Sequence, residues 1–492
     1  MLLLGIDLGS SSIKTSVIDG ESGKCLVTVY YPKDEMKIIA QKPGWAEQNT
    51  EIWWTNLKAA IADCTNKLGQ RNKEIGAIGI SYQMHGLVAI DKDKKVLRPS
   101  IIWCDSRAVK YGENAFSALG KDFCLSHLLN SPGNFTASKL AWVKENEPEL
   151  YSKIYKVMLP GDYVALRLTG EISTSYTGLS EGLFWDFTRD SVSEELMKYF
   201  GFDSAILPEA APSFSIQGNL LKSVAAELGV PEGIPVSYRA GDQPNNALSL
   251  NVLNPGEVAA TAGTSGVIYG VTDKKKFDPL SRVNTFLHVN HSYGNTRLGV
   301  LLCINGTGIL NSWLRRNSSS NLTYNKMNDM AEKVAIGSDG LCILPFGNGA
   351  ERMLGNKDTG AQISGLNFNT HTSAHLFRAA QEGIAFSFRF GLDIMKETGI
   401  NTQLIRAGEA NMFLSKVFRE TLSNITDTVI HLYNTDGSIG AARGAGIGCG
   451  YYKSEKEAFN GLAAVRVTEP GKLKSNNYEA AYERWKNFLR KT

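Results

Sequence analysis

The sequence predicts an α/β protein of two similar lobes, each built on a mixed or parallel β-sheet with helices on its faces. Three observations predict it. Strand-like and helix-like runs alternate from residue 2 onward. A plan of apolar strand, small-residue turn and apolar strand occurs in both halves, as LLLGIDLGSSSIKTSVID (2–19) and EVAATAGTSGVIYGV (257–271). No low-complexity or proline-rich linker separates the halves. Polar and breaker residues concentrate in GDQPNNALSLNVLNPGE (241–257), which marks the boundary and divides the chain into 1–248 and 249–492.

In the first half the opening strand–turn–strand runs on into KCLVTVYY (24–31), a further β run. EIWWTNLKAAIADCTNKL (51–68) has helical spacing, and EIGAIGISYQ (74–83) reads as a strand ending in a polar turn. GIPVSYRAG (233–241) is a strand followed by a glycine turn, which puts Asp242 at a strand end. In the second half the repeated hairpin is followed by a long helix in SAHLFRAAQEGIAFSFRFGLDIMKETG (373–399). The strand QLIRAG (403–408) and the helix MFLSKVFRETLSNIT (412–426) come next. Residues 451–492 read as surface loop and a closing amphipathic helix.

The composition is that of an ordinary globular protein, with 43% hydrophobic and 21% charged residues in 492. That length suits three domains or two large ones. Glycine is the exception, at 48 residues clustered in a few short turns, as expected where backbone approaches a ligand. A net charge of +3 argues against nucleic acid or an anionic membrane as the main partner. Seven scattered cysteines without CxxC spacing fit reduced thiols in a cytoplasmic protein, not a disulfide framework or a zinc site. The opening apolar run meets Asp7 too early for a signal peptide, and no run is long enough to span a membrane.

Several ligand-binding devices are absent. A P-loop would need glycines where Leu8 and Ile13 stand, and a strand rather than a helix follows. GAGIGCG (444–450) fails the dinucleotide register at Cys449 and reads as a small-residue helix packed tightly on its neighbours. His371 and His375 lack the glutamate of a metalloprotease motif, and His288 and His291 have no acidic partner nearby in sequence. What remains is the pair of hairpin turns. Backbone amides and the hydroxyls of Ser10, Ser11, Thr264 and Ser265 suit phosphate oxygens from opposite lobes. Asp7 beside a phosphate is repulsive unless a divalent cation lies between, and Lys14 adds charge to the same phosphates. Asp242 alone reads equally as a helix cap or as a cleft-facing carboxylate.

These hairpins resemble those of the actin-like ATPases. GWAEQNTEIWW (44–54), GNFTASKLAWV (133–143), LPGDYVALRLTGE (159–171) and GLNFNTHTSAHLFRAAQEGIAFSFR (365–389) resemble, in order, blocks of the FGGY carbohydrate kinases. The likeness runs from residue 2 to about 450. It implies a two-lobed actin-like, ribonuclease H-like fold with the active-site cleft between the lobes. It also implies an ATP- and Mg²⁺-dependent sugar kinase, with small-molecule partners and compatible with a homodimer. The block at 83–108 resembles the branch whose acceptor is the ketopentose D-xylulose, with Met84 and His85 as its sugar-contacting pair.

The resemblance makes Asp242 the general base, with Gln243 and Asn134 bonding sugar hydroxyls. It sets Asp7 at the Mg²⁺ water shell and Ser10, Ser11, Lys14 and Thr264 at the phosphates. Gly308 matches a position near the nucleotide, and Gly408 and Asn411 match the turn against adenine or ribose. Two residues depart from the pattern. Gln243 stands where the xylulose branch carries Asn and glycerol kinases carry Gln, and Glu409 stands where the adenosine-side turn carries a further Gly. Other polyols (ribulose, gluconate, glycerol) are the alternative acceptors. A non-catalytic nucleotide switch of the actin kind has no use for the Met84-His85 and Asp242-Gln243 pairs.

Overall fold

The computed structural model describes residues 1–318, 322–471 and 475–492, with only the main chain of Ser475. The elements that carry the architecture begin with β1 (Leu2–Leu8), β2 (Ile13–Asp19), β3 (Cys25–Tyr31), α1 (Thr50–Leu68) and β4 (Ile75–Tyr82). They continue with α2 (Thr136–Asn146), α3 (Tyr176–Glu181), β5 (Val236–Gly241) and α4 (Asp242–Ser249). Next come β6 (Glu257–Ala262), β7 (Gly266–Thr272), β8 (Asn284–Leu287), β9 (Leu298–Ile304), α5 (Gly308–Ser318) and α6 (Ser373–Glu397). The chain closes with β10 (Leu404–Gly408), α7 (Lys416–Thr426), β11 (Val429–Tyr433), α8 (Gly437–Gly448), β12 (Ala464–Thr468) and α9 (Ser475–Leu489).

Two compact units result. The first comprises Met1–Asn251, Phe286–Leu298 and Thr435–Leu462; the second comprises Val252–Thr285, Gly299–Asn434 and Ala463–Thr492. Past residue 251, therefore, the chain contributes two further segments to the first unit.

The first unit holds a five-stranded sheet in the order β5-β4-β1-β2-β3. β5, β4 and β1 run parallel, and β2 and β3 follow antiparallel. The second unit holds a seven-stranded sheet, β8-β9-β7-β6-β10-β11-β12. Its central five strands repeat the order of the first, with β6, β7, β9, β10 and β11 in the places of β1 to β5. β6 again pairs antiparallel with its hairpin partner and parallel with the next strand in. The duplication expected from the two hairpin sequences is thus a duplication of topology. Each unit also has its own apolar core, around Leu4, Ile6, Trp53 and Ile80 in the first and Val258, Ile304, Phe386 and Trp485 in the second.

β1 reads LLLGIDL because both of its faces are covered. α1 packs on β2 and β3, while α8 packs on β1, β4 and β5. α1 starts where Asn49 accepts from the Glu51 N–H at 2.9 Å and stops at Gly69, whose φ of +57° suits glycine. α8 explains the glycine run at 444–450. A Cβ on Gly444 would meet the ring of Tyr238 at 2.5 Å, and one on Gly448 would meet the Ser237 carbonyl oxygen at 1.7 Å. The strands answer in kind, since a Cβ on Gly5 or Gly79 would lie 1.8 or 2.0 Å from the carbonyl oxygens of Ser438 and Ala441. Helix and sheet therefore meet backbone to backbone, and the glycines pack rather than cradle a dinucleotide.

Two stretches differ in detail from the sequence expectation. The first eight residues after Gly241, inside the breaker-rich boundary, form α4, because Pro244 falls in its first turn where a missing N–H is harmless. Residues 412–426 are not one helix. A 3₁₀ turn over Asn411–Leu414 precedes α7, which starts anew where Ser415 Oγ accepts from the Phe418 N–H at 3.2 Å. The closing helix is α9, with Tyr478, Tyr482 and Trp485 buried. Part of the surface loop expected before it, 472–474, lies outside the described residues. Among the described residues no helix is long and apolar enough to cross a membrane.

Gly79→Ala is expected to lower the unfolding free energy by roughly 1–3 kcal/mol, the usual range for overpacking. Urea denaturation followed by circular dichroism checks this.

Candidate active site

Asp7 lies at the end of β1, where antiparallel pairing sets it opposite Lys14 and parallel pairing sets it opposite Ser81. Ser81 Oγ donates to Asp7 Oδ1 at 2.8 Å. The backbone of α8 begins against the same carboxylate, since a Cβ on Gly437 would lie 2.4 Å from Asp7 Oδ2. Asp436 caps α8, accepting from the Ile439 N–H at 3.1 Å, and its other oxygen is 3.3 Å from Lys14 Nζ. Burial holds the Asp7 carboxyl above the usual carboxylate range, and the charge of Asp436 adds to the shift against the opposing Ser81 bond.

The tight turn after β1 closes with Gly9 N–H donating to the Ser12 carbonyl at 3.0 Å. Ser10 receives the Trp103 Nε1–H on its hydroxyl at 3.4 Å, and Ser11 is exposed. The turn carrying Ser10, Ser11 and Lys14 therefore stands beside Asp7.

Asp242 follows β5 directly and is the first residue of α4. Its carboxyl is pushed up to about 7, first by burial and second by the charge of Asp7. Hydrogen bonds from the Gln243 side chain and main chain pull the other way. A carboxyl poised near neutrality at the C-terminal edge of a sheet is suited to taking a proton.

Met84 and His85 come just after β4, and Met84 packs against Gly241, the residue before Asp242. A Cβ on Gly241, the residue before Asp242, would lie 2.5 Å from Met84 Cγ. His85 has a φ of +60°, and its neighbours hold that conformation. Lys139 Nζ donates to its carbonyl at 2.8 Å, its own N–H donates to Glu181 Oε1 at 3.3 Å, and Nδ1 faces the Glu181 carbonyl at 2.9 Å. A carbonyl only accepts, so Nδ1 carries the proton. Phe135 meets the imidazole edge-on at 4.8 Å between centroids, and Phe286 lies at 5.4 Å. Asn134 bonds the Asp105 carbonyl through Nδ2, while its Oδ1 is buried without a hydrogen-bond partner.

The second unit gathers other expected residues. Thr264, Gly308 and Asn411 line one cavity of about 410 Å³, together with Asn311, Tyr324 and Ser415. That volume is in the range of small-molecule sites. The hairpin turn and the start of α5 are tied by Gly308 N–H to the Gly263 carbonyl at 2.9 Å. A Cβ on Gly308 would lie 2.3 Å from that oxygen, so only glycine permits the approach. Gly408 does not line this cavity; a Cβ there would meet no atom within 4 Å. Glu409, the departure in this turn, pairs with Arg466 at 3.0 Å.

Sequence reasoning did not single out Ser81, Asp436, Glu181 or Lys139. It also passed over the buried set around Arg107, whose guanidinium forms ion pairs with Asp105 and Glu47 at 2.7 Å each, hydrogen-bonding the first, and stacks on Trp45 at 3.7 Å. GNFTASKLAWV had marked the helix that holds Lys139, a lysine pulled down to about 7 by burial. Among the described residues no three His, Cys, Asp or Glu side chains are grouped to bind a metal ion directly. His375 caps α6 and pairs with Asp339 at 3.1 Å.

The chain matches family models and known proteins along its length. The model for the N-terminal domain of the FGGY family of carbohydrate kinases matches residues 2–249, and that for the C-terminal domain matches 258–449. Xylulose kinase of Bacillus subtilis is 30% identical over 100% of this chain and 97% of its own. The xylulose kinase structure from Rhodospirillum rubrum superposes with a TM-score of 0.90 at 23% identity, covering 100% and 99% of the two chains. A gluconate kinase from Lactobacillus acidophilus (TM-score 0.89, 22% identity, 99% and 97% covered) shares the fold. So does Plasmodium falciparum glycerol kinase with ADP (0.88, 22%, 100% and 98%).

Replacing Asp7 by Asn is expected to lower the pKa of Asp242 below about 7, because it removes the second cause of the shift. Carboxyl ¹³C NMR titration of wild type and variant reads this directly; an unchanged Asp242 titration contradicts the coupling.

Proposed function

Because the chain belongs to the FGGY family of carbohydrate kinases, we propose that its acceptor is D-xylulose and its product D-xylulose 5-phosphate. The family makes it an ATP-dependent phosphotransferase acting on a small sugar. The xylulose assignment rests on the B. subtilis relative and on the Met84-His85 pair. The observation that carries the chemistry is the carboxyl of Asp242, pushed up to about 7, next to a glycine on which Met84 packs.

In this reading Asp242 takes the proton of the acceptor's 5-hydroxyl as that oxygen bonds to the γ-phosphorus of ATP. The γ-phosphorus–oxygen bond to the leaving group breaks, and ADP departs with the electron pair. Gln243, by bonding the Asp242 carboxyl, orients it, and with Asn134 it meets sugar hydroxyls. Ser10, Ser11, Lys14 and Thr264 hold phosphates through hydroxyls, amides and charge. The second unit's cavity, with Gly308 and Asn411 and with Gly408 nearby, takes the adenosine end. We accordingly divide the labour at 248/249, with acceptor and first phosphate turn before it and nucleotide after.

The residues fit a magnesium ion held through water at Asp7. Asp7, Asp436 and Asp242 crowd negative charge that Lys14 alone does not balance, and direct coordination by three side chains is absent among the described residues. Mg²⁺ there would neutralise the phosphates. The thiols Cys25, Cys64, Cys104, Cys124, Cys342 and Cys449, free of disulfides, support a cytoplasmic setting. A second reading, another polyol such as glycerol, is favoured by one residue: Gln243 departs from the xylulose branch.

Three outcomes test the proposal. In a coupled ADP-release assay across xylulose, ribulose, gluconate and glycerol, xylulose is expected to give the highest kcat/KM; any other ranking reassigns the acceptor. Asp242→Ala is expected to bind ATP normally and lose about 10²–10⁴-fold in sugar-dependent turnover, the range of general-base catalysis. Gly408→Ala, at a position where a Cβ would meet no protein atom within 4 Å, is expected to leave thermal stability little changed and raise the KM for ATP about tenfold or more, the cost of lost ligand contact.

A further inference from the structure

The Ser10–Ser11 turn of the first unit is held by a residue that the reaction described above does not use. Gln48 lies two residues before α1 with 1% of its surface exposed, in a short strand that pairs with Ser100–Ile101. Its Nε2 donates to the Ser10 carbonyl at 2.6 Å. Its Oε1 accepts from the Trp53 indole N–H and from Gln83 Nε2, each at 3.0 Å. An indole N–H only donates and a carbonyl only accepts, so the carboxamide has one orientation. Trp53 is itself fully buried in α1, and the Gln83 N–H is tied to the Leu8 carbonyl, at the end of β1, at 2.8 Å. The amide of Gln48 is therefore fixed from two sides.

What Gln48 fixes in turn is the direction of backbone amides. In a trans peptide the C=O and the following N–H point opposite ways. With the Ser10 carbonyl on Gln48, the Ser11 N–H faces away from Gln48. The Ser11 carbonyl accepts from the Met36 N–H at 2.8 Å, which turns the Ser12 N–H away from Met36 in the same manner. Successive amides aimed out of a turn make a concavity suited to an anion. Of the two carbonyls, that of Ser10 is the one held by a side chain. Trp103 reaches only the Ser10 hydroxyl, which rotates about its own bond and leaves the peptide unconstrained.

We propose that Gln48 is a positioning residue for the nucleotide's phosphates, holding the Ser10 carbonyl so that the Ser11 N–H is presented to a phosphate oxygen. This rests on the kinase reading above and deepens it. Gln48 touches no reactant and acts through the turn. A carbonyl that loses its donor gains by rotating toward water, and that rotation carries the Ser11 N–H out of line.

The test uses the full chain with ATP and the preferred acceptor. Gln48→Met, close in shape but without the amide, is expected to raise the KM for ATP about tenfold, as for one lost hydrogen bond, while the KM for the acceptor stays within about threefold. A merely structural role would lower the fraction of active protein and leave both KM values where they are. Gln48→Glu adds a second readout and serves alone if the methionine variant does not fold. The variant's carboxyl keeps the bonds from Trp53 and Gln83 and donates to the Ser10 carbonyl only while protonated. Its KM for ATP is expected to lie closest to wild type near pH 6 and to rise relative to wild type toward pH 9. An unchanged KM for ATP in Gln48→Met, equal rises in both KM values, or a Gln48→Glu to wild-type ratio that does not move with pH overturns the proposal for Gln48 alone. Absence of any phosphorylated acceptor with the wild-type protein overturns the kinase reading with it.

Discussion

Two half-buried carboxylates, Asp7 and Asp242, leave the C-terminal edge of one sheet, and the charge of Asp7 raises the cost of ionising Asp242. Parallel β1, β4 and β5 end together, so Asp7, Ser81 and Asp242 arrive at that edge from strands of very different sequence position. The rest of the first unit serves to keep them there. Ser81 satisfies one oxygen of Asp7, and the glycine-faced contact of α8 with β1 and β4 brings Asp436 and the helix start to the other. Were α8 a turn's width further out, Asp7 would be solvated and its proton affinity ordinary.

Crowded negative charge needs a counterweight that the protein supplies only in part. Lys14 is the nearest cation, yet in this structure it leans on Asp436. In the proposed function, phosphate and a divalent cation arriving together would resolve the imbalance, because each would neutralise what the other brings. His85 is held from both sides, with Lys139 donating to its carbonyl and Glu181 accepting from its N–H, and burial raises the Glu181 carboxyl well above the usual range.

Much of this was legible in the sequence, and the reason is local. Period-2 and period-3.6 patterns depend on neighbours a few residues apart, so both hairpins, α1, α6 and the strand before Asp242 could be read directly. The glycine run of α8 was legible as packing because it failed the dinucleotide register. Asp436, Glu181 and Ser81 were not legible, because their roles arise from pairing across long separations. Ser81 meets Asp7 only through the β1–β4 register, and Ser16 bonds Ser438 from 422 residues away. Glu181 is one polar residue in a small-residue stretch, and its bond from the His85 N–H exists only in the folded chain. The break before α7 was hidden for the opposite reason, since a single serine cap overrode a helical pattern that continues on both sides.

The central claim is that desolvation near Asp7 gives Asp242 its basicity. The pH dependence of kcat/KM for the preferred acceptor, taken from about pH 5 to 9, tests it most directly. A single-proton limb rising with pH, with a midpoint no higher than about 7, is the predicted result, because the carboxylate form accepts the proton. A flat profile across that range, or one whose rising limb survives unchanged when Asp242 is replaced by Asn, contradicts it.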